Sequence, residues 1–159
     1  MMLSFNIAWA GYPYYVLHAA IQNKTNKTVV IKDLLMVKVT PEQSYVYYFP
    51  LFKGVVLKPN ATLTKNIDQR KLLREPGYPQ STEWSFREIL IGGKHFMNKS
   101  IKTCNLTKSD YIESFYSKKP AVKIVIKNYS SSASKPDYGY VINPLVSSSC
   151  TTRMRFDEK

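Results

Sequence analysis

The amino-acid sequence predicts an all-β protein with one short helix. Segments in which apolar and polar residues alternate recur between prolines, glycines and asparagines, and they amount to about eight to ten short strands. The composition also favours strands, since the chain has 12 Tyr and 7 Phe but only 6 Gly. Apolar strand faces need a second layer to cover them. We therefore expect an antiparallel two-layer β-sandwich, immunoglobulin-like or jelly-roll-like, that forms one domain over residues 1–159.

The alternation starts near the first residue and continues through the first half of the chain. Residues 3–9 place Leu, Phe, Ile and Trp on one face, which indicates a strand. The segment 28–39 should bend near Lys32 and Asp33, where its buried face changes phase. The pattern L-x-P-x-A-x-L at 57–63 is common in immunoglobulin-like sandwiches. The predicted strands of this half are residues 3–9, 14–23, 28–39, 44–52, 54–59 and 61–67.

A long loop and a helix interrupt the strands of the second half. Residues 68–82 contain two prolines and a glycine, which predict a loop longer than most connections. Residues 109–118 have helical periodicity, with Ser109 or Asp110 as the expected N-cap. The helix side chains expected to face the core are Ile112, Phe115 and Tyr116. The predicted strands of this half are residues 83–93, 121–129, 138–146 and 151–156.

The hexapeptide NKTNKT at 23–28 allows two interpretations. It is a polar turn between two predicted strands, and it also contains two N-x-T glycosylation acceptors. Asparagine, serine and threonine are themselves turn formers, so we predict the turn first and glycosylation as a second hypothesis. Six of the nine asparagines have Ser or Thr at the second following position: Asn23, Asn26, Asn60, Asn98, Asn105 and Asn128.

The two cysteines bear on the compartment. Cys104 and Cys150 both lie at polar strand ends and not within apolar runs, so we predict a disulfide between them, which implies an oxidising compartment. Two unrelated buried thiols are the alternative. The apolar start is short and has no preceding positive charge, so we predict a strand there and not a signal peptide. An exported protein would have lost its signal before this start.

The net charge of +12 biases the protein towards acidic partners. The basic residues are dispersed and are not interleaved with the aromatic stretches YPYY and YVYYF, so a nucleic-acid partner is not expected. Many lysines on strands are solvated side chains that block edge-to-edge association. A protein or another acidic macromolecule is the expected partner, and a membrane surface is kept as an alternative.

No catalytic signature is present in the sequence. The only histidines are His18, inside a strand pattern, and His95, within IGGKHF, which does not have the residues of a phosphate-binding loop. A Cys104–His95 pair can be drawn, but spacing alone does not support it. Glu83 and Glu88 fall on opposite strand faces and do not form an acid/base pair. We expect no metal, cofactor or enzymatic activity, and a sandwich glycosidase or lyase is the enzymatic alternative.

These observations predict an extracytoplasmic binding or assembly module, such as an adhesion, inhibitor, immunity or surface-structure subunit. The predicted partner-binding residues lie in the 68–82 loop, where basic and aromatic side chains occur together. They are Arg70, Lys71, Arg74 and Tyr78. The alternatives are a virion or phage structural protein and a membrane-active β-sandwich.

Overall fold

The computed structural model describes residues 16–39, 46–68, 81–99, 104–132, 134–147 and 153–159. Over these residues the chain forms eleven strands and one helix, which confirms the predicted all-β class with one short helix. The strands are β1 Val16–Asn23, β2 Val29–Val39, β3 Val46–Leu51, β4 Val56–Leu57, β5 Thr62–Asp68, β6 Ser81–Ile91, β7 Lys94–Asn98, β8 Cys104–Thr107, β9 Val122–Asn128, β10 Tyr138–Pro144 and β11 Met154–Glu158. The helix, α1, is Lys108–Ser117. The strand predicted at 3–9 lies outside the described residues.

Nine of the strands follow one hydrogen-bonded path, in the order β3-β2-β6-β7-β11-β10-β9-β1-β5. Strand β4 pairs with β2, and β8 pairs with β6, both beside this path. The path curls until it is nearly closed into a barrel. One continuous path therefore takes the place of two separate layers, and the predicted sandwich is not confirmed.

Strand β11 pairs with a different neighbouring strand at each of its ends. Its residues Met154 and Arg155 pair with β10, and residues 156–158 pair with β7. Gly139 lies opposite Arg155, and a Cβ atom there would clash with the carbonyl oxygen of Met154. The glycine thus allows β10 and β11 to approach each other.

The predicted fully antiparallel arrangement is wrong at one pair. Strands β1 and β9 are parallel, whereas the other described pairings are antiparallel. Parallel neighbours need a long connection, and here the chain between them contains strands β2 to β8 and α1. The alternation of apolar and polar residues within a strand does not show whether a partner strand distant in sequence pairs with it in parallel or antiparallel.

Aromatic side chains from three strands meet in the core. The ring of Phe86 in β6 lies 4.7 Å from that of Tyr140 in β10 and 5.4 Å from that of Phe156 in β11, measured between centroids. These edge-on contacts add to the area that the rings bury. In β9, Ile124 is buried and Lys123 is exposed, as the alternation predicts.

A register irregularity lies where the second strand segment was predicted to bend. The pairing of β2 with β6 shifts register between Ile31 and Asp33 and again between Asp33 and Leu34. A β-bulge lets the buried face change phase without ending the strand. The segment 28–39 is therefore one irregular strand.

Helix α1 was predicted correctly in position but not in its buried face. Its N-cap is Thr107, and Asp110 is the third helical residue, so neither predicted cap residue holds that position. Tyr111 and Ser114 face the core, and the predicted apolar face is wrong at Tyr116, which is 72% exposed. Ile112 and Phe115 are half-buried. Asp110 and Ser114 can be buried because both are hydrogen-bonded, the Ser114 hydroxyl to the Lys119 carbonyl at 2.6 Å. No helix in the described part of the chain could cross a membrane.

Candidate functional site

An open cleft of about 800 Å³ lies at one end of the barrel. Four separate segments line it: the turn between β1 and β2, the β6–β7 hairpin, the residues just before β10, and strand β11. Helix α1 packs on β1. After the helix, the N–H of Ala121 donates to the carbonyl of His18, which lies close to the start of β1. The cleft is at the other end of β1. Its apolar side chains are Ile91, Phe96, Tyr138 and Phe156.

Buried polar side chains fix the turn that contributes to this cleft. The Asn23 amide nitrogen donates to the carbonyls of Lys27 at 2.7 Å and Leu57 at 3.0 Å. Its oxygen accepts the backbone N–H of Thr25 at 2.9 Å and the Thr25 hydroxyl at 2.7 Å. Asn23 is fully buried, and its bonds to Leu57 and Thr25 form away from competing water. The backbone that positions Lys27 is thereby held in one conformation.

The β6–β7 hairpin places a second segment beside that turn. Gly92 and Gly93 have φ angles of 58° and 82°, which suit a tight hairpin turn. The Gly92 N–H donates to the Thr28 carbonyl at 2.9 Å. The aliphatic stem of Lys27 lies 3.4 Å from where a Gly92 Cβ would be. The stretch IGGKHF is therefore a hairpin turn that supports Lys27.

Ion pairs engage most charges at the cleft but not two of its lysines. Asp137 pairs with Arg153 and, at 3.7 Å, with Arg155. Two more carboxylates have lysine partners, in the pairs Lys94–Glu158 at 3.9 Å and Lys99–Asp157 at 3.7 Å. Within the described ranges, Lys27 and Lys135 have no carboxylate partner, and both are exposed. These two cations are available to an anionic ligand.

Arg153 contacts both Asp137, in the wall of the cleft, and Tyr129. The hydrogen bond from Arg153 holds the pKa of Asp137 below its ordinary 3.8, and the charges of Arg153 and Arg155 act in the same direction against the effect of burial. The Arg153 guanidinium also stacks on the Tyr129 ring, 4.2 Å from its centroid. That ring covers Gly139. Arg153 thus has partners on two sides, which leaves little freedom to lose on binding.

The predicted site residues are only partly within the described chain. Arg70, Lys71, Arg74 and Tyr78 lie outside the described residues, so binding by the 68–82 loop stays a prediction. The cleft residues Lys27 and Lys135 were not predicted. The sequence shows them as two of 23 dispersed basic residues, and only the fold brings them to one cleft.

One predicted glycosylation acceptor is corrected by the structure. Asn23 cannot carry a glycan in this fold, because it is buried and its amide nitrogen already donates to two carbonyls. Asn26 and Asn60 are exposed, and Asn98 and Asn128 are half-buried. The side chain of Asn105 lies outside the described residues. Glycosylation of these five stays a prediction.

Each of the two histidines contacts a different polar side chain. His18 Nδ1 lies 2.5 Å from Asn66 Oδ1, and His95 Nδ1 lies 2.8 Å from Glu88 Oε1. Along β6, Cys104 lies opposite Trp84 and His95 opposite Leu90, so about 20 Å of strand separates them. The Cys104–His95 pair is therefore not formed. Among the described residues no group of three metal-binding side chains occurs.

The disulfide stays a prediction, since Cys104 is buried at the start of β8 while Cys150 lies outside the described residues. We expect no free thiol in folded protein made under oxidising conditions, by titration with a thiol reagent. A bridge would close a loop of about 46 residues and contribute about 4 kcal/mol through the entropy of the unfolded chain. Cys150→Ser should lower the free energy of unfolding by a similar amount in oxidised protein and by much less in reduced protein. Two titratable thiols in the oxidised protein would contradict the bridge.

Comparison with protein-family models, with curated proteins and with solved structures finds no match to this chain. The function is therefore argued from the site alone.

Proposed function

We propose that the protein is a non-enzymatic extracytoplasmic binding or assembly module that recognises an acidic macromolecular partner. The observation that carries the proposal is the pair of exposed lysines, Lys27 and Lys135, at a concave site without carboxylate partners among the described residues. A net charge of +12 adds a long-range attraction for the same kind of partner. The predicted disulfide and the remaining glycosylation acceptors support an extracytoplasmic compartment.

The contacts around the titratable groups support binding over catalysis. His18 and His95 each face a single polar neighbour at an exposed position, and they belong to different parts of the barrel. The hydrogen bond from Arg153 lowers the pKa of Asp137 at the cleft, which reduces its value as a proton donor. A cleft of this kind supports recognition of charge and shape.

We further propose that the barrel is related to an immunoglobulin-like or jelly-roll-like sandwich. Its support is the ring contact between Phe86 and Tyr140, whose strands β6 and β10 are separated along the path by β7 and β11. Strand β11 changes its pairing partner along its length, as a strand does where it passes from one sheet to another.

Charge reversal at the cleft tests the proposed function. We expect Lys27→Glu with Lys135→Glu to weaken binding of poly-L-glutamate by at least about tenfold at low salt. The matched control is Lys119→Glu with Lys123→Glu, two exposed lysines near α1 that change the net charge equally. The control should stay within about twofold. Fluorescence anisotropy measures both. Equal losses in the two variants, or no binding by the unmodified protein, would contradict the proposal.

A further inference from the structure

We propose that the outer edge of strand β5 binds an extended segment of an acidic protein partner as an additional strand. Strand β5 ends the hydrogen-bonded path, and its only pairing among the described residues is with β1. Strand β3 ends the path on the other side, and no pairing joins β3 to β5 in the described part of the chain. None of the residues 52–66 lines the cleft, so this surface is distinct from the cleft and goes beyond the proposed function.

The register of β1 with β5 shows which backbone groups face outwards. The N–H of Asn23 donates to the carbonyl of Ala61 at 3.0 Å, and the neighbouring residues Gln22 and Thr62 lie opposite each other. In an antiparallel ladder, pairs that exchange hydrogen bonds alternate with pairs whose N–H and C=O groups point away from the partner strand. Gln22 and Thr62 form a pair of the second kind. The residues of β5 whose backbone groups therefore point away from β1 are Thr62, Thr64 and Asn66.

These outward groups match a polypeptide backbone. Among the described residues, Thr62, Thr64 and Asn66 make no backbone hydrogen bond outside the strand ladder, and all three residues are exposed. Their N–H and C=O groups repeat about every 7 Å, which is the repeat along one edge of any extended strand. Another strand can satisfy each donor and acceptor in turn, whereas a glycan or a nucleic acid has no such series. The edge therefore fits an extended peptide.

The charge beside this edge favours an acidic partner over a second copy of the chain. The segment 52–67 has no Asp or Glu and contains three lysines, Lys53, Lys58 and Lys65. All three are exposed, and no described carboxylate pairs with any of them. The Nζ of Lys65 instead lies 5.7 Å from the centroid of the Phe52 ring, just after β3. Two copies paired through β5 would bring these lysines and two net charges of +12 together, which opposes self-association.

Hydrogen exchange at single amides, followed by NMR, tests where the partner binds. In the free protein we expect the amides of Thr62, Thr64 and Asn66 to exchange at least about tenfold faster than those of Leu63 and Lys65, which donate to β1. The probe is a peptide of about seven residues that alternates valine with glutamate, and it should slow the three outward amides at least about tenfold. The same peptide with N-methylated amides keeps its charge but cannot pair, so it should not slow them.

Substitution at Thr64 separates backbone pairing from charge. Thr64→Pro removes one outward N–H and leaves the bonds to β1 in place, since proline is tolerated on edge strands. We expect it to weaken binding of the alternating peptide at least about fivefold. The matched control Thr64→Ala keeps the N–H and should stay within about twofold. Circular dichroism shows whether the strands are intact, and the N-methylated peptide tests the unmodified protein if the proline variant does not fold.

Each other result overturns the proposal. Slow exchange of the outward amides in the free protein would mean that another part of this chain, or a second copy, already covers the edge. Equal binding of the two peptides, or binding that does not slow the outward amides, would mean that the peptide is held by charge alone at another place. The proposed function is decided separately, by the binding of poly-L-glutamate to the variants of Lys27 and Lys135.

Discussion

Replacing Asn23 with aspartate should lower the free energy of unfolding by about 3–5 kcal/mol. The amide nitrogen of Asn23 donates to the carbonyl oxygens of Lys27 and Leu57 from a fully buried position. An aspartate would place a carboxylate oxygen against both carbonyls and would leave a buried charge without a cation. We expect the midpoint of urea unfolding to fall steeply, measured by the fluorescence of the buried Trp84.

The matched control for this prediction is Asn26→Asp in the same hexapeptide. Asn26 is exposed, so its change should alter the free energy of unfolding by no more than about 0.5 kcal/mol. The two substitutions make the same chemical change three residues apart, and only burial and hydrogen bonding distinguish them. Similar stabilities for the two variants would show that Asn23 does not hold the turn.

The hexapeptide also illustrates why one glycosylation acceptor was misidentified. An Asn followed at the second position by Thr is a glycosylation acceptor, but the same spacing lets the Asn oxygen accept the N–H and hydroxyl of that Thr. In this protein Asn23 and Thr25 make those bonds at 2.9 and 2.7 Å. The sequence therefore predicted the turn correctly. It could not show that the turn packs against β4, whose Leu57 carbonyl completes the burial of Asn23.

Local patterns predicted the elements better than their arrangement. The alternation in β9 is a property of consecutive residues and is confirmed, and a register irregularity lies near Asp33, where the bend was predicted. The parallel pairing of β1 with β9 and the exchange of partners along β11 depend on contacts between distant segments. Without these long-range contacts, the strand pattern predicts a conventional sandwich. The same reason explains why the cleft, with Lys27, Lys135 and Glu158, was not predicted.

Asp110→Asn should lower the free energy of unfolding by about 2–4 kcal/mol. One carboxylate oxygen accepts the N–H groups of Val146 at 2.7 Å and Ser147 at 2.9 Å. The other accepts the Thr107 N–H at 2.9 Å and the Ser147 hydroxyl at 2.9 Å. An amide can accept with one atom only, so at least one of these N–H groups loses its acceptor. The first turn of α1 and the chain after β10 would both be weakened.

The pH dependence of stability provides a second measurement on the same residue. Burial alone would raise the pKa of Asp110, but the N–H groups of Ser147, Thr107 and Val146 with the Ser147 hydroxyl outweigh it and hold the pKa below 3.8. A carboxyl with a lowered folded-state pKa stabilises the protein above its unfolded value, and this contribution is lost as the pH falls through the folded value.

The difference in stability between the unmodified protein and Asp110→Asn should therefore be full at neutral pH and should shrink as the pH drops below 3.8. Urea unfolding at a series of pH values measures it. The control Glu113→Gln, at an exposed position on the same helix, should show only a small difference at every pH. A stability gap that stays constant down to the lowest pH would mean that Asp110 contributes through packing alone. In that case its carboxylate charge would not be what joins α1 to the chain at Val146 and Ser147.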